Sequence, residues 1–70
     1  MRLRDYLERN ALTQVKFINL IEMATGKTVP QGTLAKWIVG SRIPRKEQIE
    51  TIFQITDGEV EPNDFYDIRK

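Results

Sequence analysis

Stops at Asn10-Ala11, Thr25-Gly26, Gly40 and Asp57-Gly58 divide this chain into short segments, and within each segment the apolar residues recur at helical spacing. No alternating run is long enough to form a sheet, so the expected class is all-α, a compact bundle of four to five short helices in one domain over residues 1–70. In the first segment, Leu3 to about Arg9, Leu3, Tyr6 and Leu7 make one apolar stripe. The second starts after Thr13, a good N-cap, with Leu12 and Phe17 at the spacing of a hydrophobic staple. Its inner face is Phe17, Ile18, Leu20 and Ile21, with Ala24 at the edge, and it ends near Gly26. The third runs roughly from Gln31 to Val39 with Leu34, Trp37 and Ile38 inside. Two starts compete for it: Thr28 as N-cap in a capping box with Gln31, or Val29 as N-cap with Pro30 at the first helical position. Pro44 can open a fourth helix whose inner residues are Ile49, Ile52 and Phe53. The tail from Val60 is expected to be irregular or a single turn begun at Pro62, with Phe65 and Tyr66 folding back over the core.

Charge is unevenly distributed along this short chain. Residues 1–46 carry nine basic groups against three acids, a balance of +6, whereas residues 47–70 carry seven acids against Arg69 and Lys70, a balance of −5. A basic half suits phosphate, and an acidic half points away from it; the bland alternative is that charge simply keeps a small domain in solution. The chain has no cysteine and no histidine, which removes disulfides, thiolate metal sites and the commonest general base. With so thin a core and so few catalytic groups, no enzyme activity, cofactor or metal is expected. No apolar run reaches the roughly 18 to 20 residues of a membrane span, and the start Met1-Arg2-Leu3-Arg4-Asp5 lacks a signal-peptide core, so the expected location is cytoplasmic.

Two helices joined by a glycine-containing turn, the second polar outside with a tryptophan inside and followed by a glycine and a basic loop, have the layout of a helix-turn-helix. Such a helix enters the major groove of double-stranded DNA while donors around it meet the phosphates. Gln31, Thr33 and Lys36 are the candidates for base edges: glutamine pairs with adenine, lysine donates to guanine, and threonine meets a thymine methyl or a phosphate. Against this, Gln31 could be occupied in the capping box and Lys36 could be a solvated lysine. Arg42, Arg45 and Lys46 follow the helix as phosphate anchors, with Lys16, Lys27 and Thr28 as further candidates. Trp37 reads as core rather than as a stacking platform.

The stretches Leu12-Thr13-Gln14-Val15-Lys16-Phe17, Gln31 to Gly40 and Arg42-Ile43-Pro44-Arg45 resemble the Cro and phage-repressor (XRE-like) helix-turn-helix family, and the tail from Asp57 to Tyr66 resembles the ending of its short Cro-like members. The resemblance covers about residues 3 to 66. It implies a transcriptional repressor that occupies an operator, and it makes Gln14 a phosphate clamp at a helix N-terminus. With few contacts per copy, a homodimer on a pseudo-palindromic site with half-sites about 34 Å apart is expected. The chain departs from the family pattern in carrying more residues between Gln14 and Gln31, in Ile18 where a small residue is usual, and in Pro30 in place of a serine. A protein-binding module on the same fold, antitoxin-like or polymerase-contacting, is the alternative.

Two other patterns carry no chemistry. Gly26-Lys27-Thr28 looks like the end of a phosphate-binding loop, but the upstream glycine is missing because position 21 is isoleucine. Glu59, Glu61 and Asp64 lack the spacing of a calcium loop and read as solvated acids.

Overall fold

The computed structural model describes residues 1–67, so Arg69 and Lys70 of the charge count lie outside the described residues. It is all-α: α1 (Leu3–Arg9), α2 (Gln14–Thr25), α3 (Gln31–Val39), α4 (Lys46–Ile55) and α5 (Pro62–Asp67). None of these would persist alone, since isolated helices shorter than about 12 to 15 residues are marginal in water. They hold each other through one core of Leu3, Leu7, Phe17, Ile18, Ile21, Val29, Leu34, Trp37, Ile49, Ile52, Val60 and Phe65. α2 packs on α3 and α4, α1 lies against α3, and α5 against α4. Tyr6 of α1 meets Phe17 of α2 edge to face, with ring centroids 6.4 Å apart.

Local chemistry sets the helix ends. Thr13 caps α2 as its sequence position predicts, its Oγ1 accepting the Lys16 N–H at 3.1 Å, and Leu12 and Phe17 lie against the core on either side of the cap. Every helix from α1 to α4 is followed by a residue in the left-handed conformation: Ala11 (φ 54°), Gly26 (φ 77°), Gly40 (φ 86°) and Asp57 (φ 54°). After α1 the pairing is that of a Schellman ending, with Leu12 N–H on the Leu7 carbonyl and Ala11 N–H on the Glu8 carbonyl. After α4 it recurs, with Gly58 N–H on Phe53 and Asp57 N–H on Gln54.

Several expectations are corrected. Neither Thr28 nor Val29 caps α3; Pro30 does, its carbonyl accepting the N–H groups of Thr33 and Leu34 at 3.0 and 3.1 Å. A Thr28–Gln31 capping box is therefore absent, because Gln31 is the first helical residue rather than the third. Val29 is drawn into the core instead, at 7% exposure. Pro44 does not open α4: it is buried ahead of the N-cap, Arg45, whose backbone N–H donates to Gln48 Oε1 at 2.9 Å. Ala24 and Phe53 lie exposed rather than inside.

The tail begins its turn at Pro62 as expected and forms the short helix α5. Phe65 and Val60 are core residues, whereas Tyr66 is exposed and does not cap the core. Burial of Val60 is made possible by Thr56, the one buried polar residue among those described, whose hydroxyl donates to the Ile52 carbonyl at 2.8 Å and accepts the Val60 N–H at 3.1 Å. Nor is Asp64 simply solvated: its carboxylate accepts the Glu61 N–H at 2.7 Å and the Met1 amino group at 2.9 Å.

Two substitutions check these endings. Ala11 carries a Cβ in a conformation that disfavours one, so Ala11→Gly is expected to stabilise the fold by about 1 kcal/mol in urea unfolding; an unchanged midpoint would place Ala11 elsewhere in conformational space. Thr56→Val leaves the buried Val60 N–H without its partner and is expected to lower stability by about 1–3 kcal/mol.

Candidate nucleic-acid interface

Leu34 and Trp37 fix which side of α3 faces outward. They are 0% and 1% exposed, and on a helix of about 100° per residue the direction opposite them is occupied by Gly32, Ala35, Lys36 and Val39. Gly32, Lys36 and Val39 are exposed and Ala35 is half-buried, in agreement with that wheel. Gln31 and Thr33 lie about 90–110° to either side of the stripe. Of the three base-edge candidates, then, Lys36 stands on the outward stripe and the other two flank it. Gln31 is exposed, released from the capping role that competed for it, while Thr33 is half-buried.

Gly32 has no structural reason to be glycine. Its φ is not positive, and a Cβ built there would meet nothing within 4 Å. Val39, 60% exposed at the last position of α3, is an apolar side chain on the same outward stripe. Neither Ala35 nor Val39 stands out by residue type, since both read as ordinary helix filler. The signal that finds them is the angle opposite Leu34 and Trp37.

The end of α3 is tied to the basic loop after it. The N–H groups of Gly40, Ser41 and Arg42 all converge on the Lys36 carbonyl, at 3.0, 3.0 and 3.3 Å, so the backbone that carries Arg42 is held at the base of the Lys36 turn. On the other side, the connection 26–30 is an ordered link: Gly26 takes the left-handed conformation, the Thr25 hydroxyl accepts the Lys27 N–H at 3.1 Å, and Val29 plugs the core. This connection and the start of α4 enclose a cleft of about 350 Å³ whose lining brings together Lys27, Thr28 and Arg45 above Val29 and Trp37. Glu47, also on the lining, opposes an anion there. Lys46 opens α4, Arg42 follows α3, and Gln14 and Lys16 form the first turn of α2; these four lie outside the cleft. Gln14 is half-buried at the α2 N-terminus and Lys16 is exposed.

From Met23 to Lys46 the chain has five cations, Lys27, Lys36, Arg42, Arg45 and Lys46, and no acid. All five are exposed. The ion pairs among the described residues are Met1–Asp64 at 2.9 Å and Arg9–Glu59 at 3.9 Å, and neither engages any of the five. An exposed helix face of small residues flanked by cations without carboxylate partners can approach a polyanion closely and neutralise it.

Comparison with known proteins returns no family model, no curated protein and no solved structure that matches this chain. No helix among the described residues is long and apolar enough to cross a membrane.

Open space beside Gly32 makes a direct check possible. Gly32→Ala is expected to raise stability in urea unfolding by up to about 1 kcal/mol, the difference in helix propensity. A loss of stability instead would mean that part of the fold fills the space where the methyl group goes.

Proposed function

We propose that this protein is a sequence-specific binder of double-stranded DNA that lays α3 in the major groove, acting as a Cro-like transcriptional repressor by occupying an operator. The observation that carries the reading is the outward face of α3: Gly32, Ala35 and Val39 leave the helix thin, Lys36 is its hydrogen-bond donor, and the segments on both sides supply cations that no described acid pairs with. The groove is about 12 Å wide, so a helix whose outward face carries a single long side chain, Lys36, enters deeply. Lys36 and Gln31 are assigned to base edges, with Thr33 at the flank. Arg42, Arg45, Lys46, Lys27 and Thr28 are assigned to phosphates beside the groove, and Gln14 and Lys16 to a phosphate at the α2 N-terminus. The repressor role comes from the family resemblance.

The longest dimension of the described chain is 32 Å and it holds a single α3. Two half-sites one helical turn, about 34 Å, apart therefore require two copies. The surface we assign to the second copy is the apolar edge of Phe53, Pro62 and Tyr66: Phe53 and Pro62 border one depression, and Pro62 and Tyr66 are one turn apart on α5.

Selection from random duplex DNA followed by footprinting tests the reading, and is expected to return a two-fold site covered by two protomers. Against that site, Lys36→Ala should lose discrimination of about 1–3 kcal/mol at one base pair per half-site. Arg42→Ala should weaken binding almost equally on all sequences and reduce the salt slope by about one. Absence of enrichment at moderate salt, with salt-insensitive capture of a protein partner instead, would replace this reading with the protein-binding module.

A further inference from the structure

An exposed valine is ordinary on a protein surface; the meaning of Val39 comes from where it stands. It shares one outward stripe with Gly32, Ala35 and Lys36, and it is 60% exposed although it ends a helix whose opposite side is fully packed. Three of the four outward positions thus offer backbone, a methyl group and an isopropyl group, and only Lys36 can donate a hydrogen bond from its side chain.

We propose that Val39, with Ala35 beside it, reads the 5-methyl group of thymine, so that this protein selects a thymine-bearing half-site by apolar contact as much as by hydrogen bonding. The proposal rests on the DNA-binding reading above. In the major groove the 5-methyl group distinguishes thymine from the other three bases, and it is the feature that an aliphatic side chain can recognise. A valine is too short to reach it unless the helix backbone lies close to the base edges. Gly32 and Ala35 permit that approach, since the open space at Gly32 is unfilled by any neighbour in the fold. At 1.5 Å per residue Val39 stands about 10 Å along the axis from Gly32, or about three base-pair steps. Lys36, between them in sequence, then reads a base pair nearer the middle of the same half-site. Val39 is in this way a specificity-determining residue that acts through a methyl contact rather than through charge.

Single replacement of each dT by dU in the selected duplex tests the assignment, because uracil keeps the pairing and the O4 acceptor but lacks the methyl group. The wild-type protein is expected to bind about fourfold more weakly when the thymine facing Val39 is replaced, the equivalent of about 0.8 kcal/mol for one buried methyl group. Val39→Ala, which leaves the core untouched, is expected to lose most of the difference between the dT and dU forms of that position, leaving only the share of Ala35. If every dU replacement leaves wild-type affinity unchanged while binding remains sequence-selective, the methyl assignment is overturned and the DNA reading stands. A dU effect that persists undiminished in Val39→Ala overturns it as well, by assigning the contact to another residue. Failure to prefer any duplex sequence removes the DNA reading itself, and the inference with it.

Discussion

Burial of Trp37 and Leu34 sets the rotation of α3, and the rest of the candidate interface depends on that rotation. Trp37 lies where the end of α2, the connection 26–30 and the start of α4 meet, as the floor of the cleft that Lys27, Thr28 and Arg45 border. An indole of this size can fill that junction in few orientations, and a turn of the helix by one residue would bring Lys36 toward Trp37's place in the core. The unfavourable burial of an unpaired ammonium forbids it. A hydrophobic contact thereby decides which polar and aliphatic groups a ligand meets.

With helices this short, the segments between them must be as well determined as the helices. Left-handed residues end four of the five, two of them glycines and two not. Gly26 and Gly40 adopt that conformation without a Cβ penalty, at the ends of the two helices α2 and α3 whose packing positions the candidate interface. Ala11 and Asp57 adopt it at some cost in segments away from α3. Thr56 completes the arrangement by making the chain reversal after α4 compatible with a buried Val60.

Much of this was legible in the residues. The limits of α1 and α2 and the end of α3 follow from apolar spacing, from Thr13 with its staple partners and from the glycines, and the core role of Trp37 follows from its spacing to Leu34. The errors share one cause: tertiary contacts compete with local capping. Thr28 and Val29 both satisfy local rules for a helix start, yet the gain from burying Val29 holds both of them outside the helix, and Pro30 becomes the cap. Pro44 likewise is taken into the core ahead of α4. Helical spacing with Ile49 and Ile52 places Phe53 inward, and the scarcity of large residues places Tyr66 over the core, but Ile49, Ile52 and Phe65 are the buried ones while Phe53 and Tyr66 are exposed. Within the candidate site, residue type pointed to Gln31, Thr33 and Lys36. Ala35 and Val39 escaped because their meaning lies only in direction.

The five-residue connection between α2 and α3 decides how firmly the two helices are held relative to each other. A flexible insertion would leave the first turn of α2 and the outward face of α3 free to move relative to each other, and any phosphate held at Gln14 would then say little about the register of Lys36 on the bases. Instead the five residues between Thr25 and Gln31 are pinned at both ends and in the middle. Gly26 closes α2 through its N–H to the Glu22 carbonyl at 2.7 Å, Val29 is fixed in the core beside Trp37, and Pro30 presents a restricted φ at the entry to α3. Lys27 and Thr28 of the connection are exposed and share a cleft lining with Arg45, while α2 and α3 meet through the core residues Phe17, Ile21, Leu34 and Trp37. The connection thus adds a basic edge beside the α3 face without loosening the relation between the two helices.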